Sequence, residues 1–228
     1  MKKFGVYSVL VVSAFCFLSW LSPLKAYADS VTMTFTGVGP QDNNSGGVYT
    51  YPYDFTVTPS GGGPSENLSL MCISFDREIY LQTPNEYWTA NVVPAGSLGA
   101  TDEEEAYLYT QAVANVNNNT KSGAANWADW ALGESNTLAG QESFLASHIS
   151  GTELTDAKNY LTGLSSVDLA DYADYLVYVP VDGTQSNGDG PPQAFVGAPV
   201  PEPSSLILLG SGLLAAAGAL YRRKRRIA

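Results

Sequence analysis

An uncharged run of 18 residues, Ser204 to Tyr221, is dominated by Leu, Ala and Gly and is followed at once by Arg222, Arg223, Lys224, Arg225 and Arg226. A run this apolar must be hidden from water. As a helix rising about 1.5 Å per residue it spans roughly 27 Å, close to one hydrocarbon core. The sequence therefore predicts a membrane helix over 204–221. The basic cluster predicts a cytoplasmic end that stops transfer, with everything before Ser204 on the opposite side. Gly210, Gly212 and Gly218 are small residues of the kind any membrane helix uses, and a dimerisation seam is the minority reading.

The other end carries a matching address. Lys2 and Lys3 precede an apolar run from Val6 to Leu21, and after Pro23 comes the small-residue site Ala26-Tyr27-Ala28. This layout predicts a signal peptide over 1–28, cut after Ala28. Cys16 falls inside the leader, which leaves Cys72 without a second cysteine, so no disulfide framework is expected.

Between the two addresses, Asp29 to Val200 keeps only Arg77, Lys121 and Lys158 against 21 of the 22 acids, a net charge of −18. So negative a surface repels phosphate backbones and excludes nucleic acid as a partner, while cations and neutral glycans remain open. The 45% hydrophobic content excludes a wholly disordered chain.

Immediately before the apolar run stands Val200-Pro201-Glu202-Pro203. The motif Pro201, Glu202 and Pro203, the span and the basic terminus together resemble the PEP-CTERM sorting signal, recognised by exosortase enzymes in bacteria that make extracellular polysaccharide. The resemblance covers about the last 30 residues. It implies an exosortase-type partner, a single C-terminal membrane pass that is a transient anchor, and delivery to the envelope or the exopolysaccharide layer.

The exported domain is expected over 29–181, with a Gly/Pro-rich linker over 182–200 and the sorting tail over 201–228. Val31, Met33 and Phe35 alternate with threonines, a half-buried strand. Further strands are read at Val48 to Thr58, where Pro52 argues for an edge or a bulge, at Leu68 to Phe75, and at Tyr87 to Val93. The period then changes. Thr101 with Glu104 reads as a capping box, and Asp102 to Glu105 as first-turn carboxylates favoured by the helix dipole rather than as a metal cluster. Helices are predicted from there to about Val116, over about Ala124 to Leu132, over Leu138 to Ile149 and over Leu154 to Leu164, with a last strand at Tyr175 to Val181. The fold class is α+β: an antiparallel sheet or small sandwich with a helical middle section.

Candidate chemistry is sparse. Gly47-Val48-Tyr49, Tyr51-Pro52-Tyr53, Leu70 to Asp76, Trp88-Thr89-Ala90, Glu104 to Leu108 and Trp127 to Leu132 form an ordered series similar to that of other PEP-CTERM proteins. It also resembles the thioester domains of bacterial surface adhesins, in which a cysteine sulfur displaces ammonia from a glutamine. By that resemblance Cys72 matches the cysteine, and Asn126, four before Trp130, stands where the glutamine belongs. Asn is one methylene shorter, which draws its carbonyl carbon back about 1.5 Å and predicts that the bond does not close. Gln111 has no motif to support it. Cys72 then reads as a small buried hydrophobe.

His148, the single histidine, reads as a helix-surface residue rather than half of a cysteine hydrolase dyad. Tyr107, Tyr109, Trp127 and Trp130 read as core rather than as sugar platforms. Asp182, Asn187 and Asp189 read as solvated loop rather than a calcium site.

These readings predict a non-enzymatic exported surface or matrix protein without catalytic residues, metal or cofactor. The alternatives are a covalent adhesin using Cys72 and a glycan-binding module. The mature protein is expected to start at Asp29 and to lack Arg222 to Arg226. Intact-mass measurement of exported material checks this, and a terminal peptide still carrying those cations would reject tail processing.

Overall fold

The computed structural model describes residues 30–38, 44–45, 47–77, 85–186 and 192–199. The predicted signal peptide, membrane helix and sorting motif lie outside these residues. Among those described, no helix is long and apolar enough to cross a membrane.

The strands are β1 (Ser30–Val38), β2 (Asn44–Ser45), β3 (Val48–Tyr49), β4 (Tyr53–Pro59), β5 (Glu66–Cys72), β6 (Tyr87–Pro94), β7 (Leu176–Pro180) and β8 (Phe195–Gly197). Among the described residues the α-helices fall between β6 and β7: α1 (Ala95–Leu98), α2 (Ala100–Ala114), α3 (Asn119–Glu134), α4 (Leu138–His148) and α5 (Gly151–Gly163). The chain is α+β, as expected.

The sheet is antiparallel, but it is not one half of a sandwich. It closes in the order β1-β4-β5-β8-β7-β6, because β1 bonds β4 along one side and β6 along the other. Closure gives every one of these strands two neighbours, although the short β8 pairs with only Met71 and Cys72 of β5. In a barrel this small the inward side chains are themselves the core. Phe55 sits at its centre, with ring centroids 5.5 Å from Phe35, 5.6 Å from Trp88 and 4.8 Å from Phe195. Val31, Met33 and Phe35 are buried as their alternation predicts, while the outward Thr56 and Thr58 hydrogen-bond Asn67 and Ser65 across the β4–β5 pair.

Two strand expectations need correction. The strand read at 48–58 is broken: Val48–Tyr49 pairs with β2, and the chain restarts as β4 after a cis Tyr51–Pro52 bond. Pro52 has no N–H to give to a ladder, so it separates two elements. The linker read at 182–200 contains β8, which sits between β5 and β7 and completes the barrel. A Cβ on Gly197 would fall 2.5 Å from Leu70 Cδ2, inside the core, so this glycine is a packing residue and not linker punctuation.

The helix starts also differ. The cap of α2 is Gly99 at φ +149, with no side-chain bond, and Thr101 lies within the helix; the expected capping box is absent. Only glycine adopts that φ readily, and it lets α2 begin directly after α1. Helix α3 starts at Asn119, well before Ala124, because the Asn118 side chain accepts the Lys121 N–H at 3.2 Å. Ten successive residues of α3, Ser122 to Ala131, are buried. A helix covered all round lies inside its bundle, and α3 packs against α2, α4 and α5.

Candidate functional site

In the β4–β5 ladder Tyr53 faces Leu70, so continuing the register would set Pro52 against Met71 and then Tyr51 against Cys72. The ladder stops before that point. The side chain of Asn126 from α3 stands between the two instead: Tyr51 N–H donates to Asn126 Oδ1 at 2.9 Å, and Asn126 Nδ2 donates to the Cys72 carbonyl at 2.8 Å. A carboxamide carries the donor and acceptor of a peptide group, so it substitutes for the missing pair. Asn126 is completely buried, as is Cys72.

The structure thus brings together the two residues singled out by their positions in the chain, but joins them through the Cys72 backbone. The Cys72 sulfur has its own partners: it accepts the Ser74 N–H and faces the Ser74 carbonyl, both at 3.4 Å. Burial pushes the thiol up to about 12, and the nearby Asp129 and Glu105 push the same way. A sulfur held as thiol is a poor nucleophile.

Those two acids were not legible as a feature. Asp129 lies one position before Trp130 on α3, fully buried, with neither carboxyl oxygen hydrogen-bonded. Glu105 on α2 is buried with Oε2 unpartnered. Desolvation raises both carboxyls, Glu105 to about 8 with Asp102 and Glu104 adding to it, and Asp129 well above its ordinary value with Glu105 and Asp102 adding to it. Burial therefore favours the neutral acid at both positions, in keeping with the high cost of a buried unpaired charge.

The remaining candidates fall elsewhere. Gln111 is half-buried and bonds its neighbour Thr110 at 3.4 Å. His148 is exposed at the end of α4. Its Nδ1 lies 2.9 Å from the Phe144 carbonyl and its ring stacks on Trp127 at 5.4 Å, so it belongs to an aromatic cluster with Phe75 and Phe144. Trp127 and Trp130 are buried, and Tyr109 packs on Tyr51 and donates to the Ser69 carbonyl at 3.2 Å. Tyr107 pairs with Tyr172. Asp182 is exposed, whereas Asn187 and Asp189 lie outside the described residues. Among the described residues no three His, Cys, Asp or Glu side chains converge as a metal site.

The comparison with known families bears on the tail. Residues 199–226 match the PEP-CTERM protein-sorting motif. This motif implies an exported protein with a membrane-anchored C-terminal sorting signal that is processed by an exosortase. No curated protein matches the chain.

Two outcomes test the site. Asn126→Ala leaves a buried N–H and a buried C=O without the side-chain partner they share, which at about 1–3 kcal/mol each should cost about 2–6 kcal/mol in urea unfolding. A cost below about 0.5 kcal/mol would show that the bridge carries no weight. The raised Glu105 means that the folded form holds a proton the unfolded chain releases. Stability should therefore be fully present below the ordinary 4.5 and be lost as pH rises toward about 8. Glu105→Gln should flatten that decline, and an unchanged pH profile of the urea midpoint would show that Glu105 is ionised in the fold.

Proposed function

We propose that the chain is a non-enzymatic exported protein that acts in the exopolysaccharide or outer-envelope layer, with the barrel and its helices as the working domain. The observation that carries this reading is the sorting motif at residues 199–226, joined to a domain of net charge −18. In this reading Arg222 to Arg226 hold the tail at the cytoplasmic face until it is processed, and the domain is released outward.

Two features support a role without catalysis. The buried thiol of Cys72 is held protonated, and His148 is engaged with Phe144 and Trp127. The covalent-adhesin alternative draws on the meeting of Cys72 and Asn126. Against it, the Asn126 carboxamide is committed at both ends to backbone groups.

Fractionation of cells producing the full chain tests the proposal. The domain should appear in the matrix or outer-envelope fraction, shortened at its C-terminus, and replacement of Pro201, Glu202 and Pro203 by Ala should trap the uncut form in the inner membrane. Wild-type protein found uncut in the inner membrane would overturn it.

A further inference from the structure

After Cys72 the chain leaves the barrel through Ile73 to Arg77, and this stretch forms one wall of a cleft of about 430 Å³, within the roughly 300–1,000 Å³ range of small-ligand sites. The wall is tied down along its length. Ile73 N–H donates to the Ala194 carbonyl at 3.0 Å, Ala194 N–H donates to Ser74 Oγ at 3.2 Å, and the Gln193 amide donates to the Arg77 carbonyl. Arg77 Nη1 in turn donates to the Pro192 carbonyl at 3.3 Å. The cleft is therefore a formed feature, held by contacts between segments more than a hundred residues apart.

Its lining combines two kinds of group. Phe75 is half-buried, its ring centroid 5.1–5.5 Å from those of Trp127, Trp130, Phe144 and His148, and the part that this cluster leaves uncovered lines the cleft beside Trp130. Around it are Asp76, Glu134 and Asp182, and the guanidinium of Arg77. Among the described residues none of the three carboxylates has a hydrogen-bond partner, and none ion-pairs with Arg77. Three acceptors and one multiple donor thus meet in the same concavity without satisfying one another.

From this lining we infer that the cleft binds a neutral sugar residue of a polysaccharide. A pyranose ring presents an apolar C–H face, which suits Phe75, and hydroxyls that both donate and accept, which suit carboxylates and a guanidinium together. The excess of carboxylates over the one cation disfavours phosphates and uronic acids. A metal ion is disfavoured because no three ligands converge among the described residues. This inference rests on the reading that the domain works in an exopolysaccharide layer, and it identifies the part of the domain that would hold the polymer.

The test titrates the mature exported protein with neutral tetrasaccharides from glucans, galactans and mannans, following tryptophan fluorescence and calorimetric heat. At least one should bind, and Glu134→Ala and Asp182→Ala, both exposed positions, should each weaken it about tenfold or more at unchanged melting temperature. Arg77→Lys should also weaken it, because one ammonium cannot replace a forked donor. Absence of binding by every tetrasaccharide at millimolar concentration would overturn the inference. So would binding indifferent to Glu134→Ala and Asp182→Ala, or a lysine-rich peptide that binds in a manner sensitive to both. The location reading is separable: if Glu134→Ala protein still reaches the outer fraction while no sugar binds, only the cleft assignment falls. If the wild type stays in the inner membrane yet binds sugar, only the location falls.

Discussion

A single side-chain amide closes the seam between the barrel and its helices. The β4–β5 ladder ends two positions short of a Tyr51–Cys72 pair, and Asn126 supplies each of those residues with a hydrogen bond from the middle of α3. The bridge fixes the rotation of α3 about its axis. Helices α2, α4 and α5 pack around α3, and α2 is docked on the barrel a second time through Tyr109, which donates to the Ser69 carbonyl and packs on Tyr51. The rotation also places Asp129 against Glu105 and sets Trp130 behind Phe75 at the cleft.

The same rotation leaves two acids in the interior without hydrogen bonds to share. Desolvation favours the neutral form of both, and the neighbouring acids Asp102 and Glu104 at Glu105, and Glu105 and Asp102 at Asp129, push the same way. Both carboxyls also add to the burial that makes ionisation of the Cys72 thiol more costly. Burial thus favours uncharged groups in the interior of a chain that is strongly acidic outside it. Polar groups with unused bonding capacity also gather at the cleft, where water or a ligand has access.

Much of the barrel was legible in the sequence, because Val31, Met33 and Phe35 alternate with threonines and a half-buried strand must alternate in that way. Closure was not, since it depends on β1 pairing with both β4 and β6, and registers so distant leave no local trace. Strand β8 was hidden for a different reason. Phe195, Val196 and Gly197 are buried on both faces, so their sequence does not alternate, and they follow a stretch of glycine, proline and small polar residues. Helix α3 shows little amphipathic pattern because it is covered all round. Glu105 looked like a first-turn carboxylate among others, and its burial is a property of the packing. The closeness of Cys72 and Asn126 could be anticipated from their place in an ordered series, but not that their link runs through a backbone carbonyl.

The central claim is that Asn126 is a structural bridge and Cys72 an unreacted thiol beneath it. The intact mass of the purified exported domain tests this most directly. The account predicts a mass equal to that of the mature sequence, with Cys72 open to thiol reagents only after unfolding. A mass lower by one ammonia, recovered on hydrolysis and absent from Cys72→Ala, would show a thioester between Cys72 and Asn126 and contradict the account.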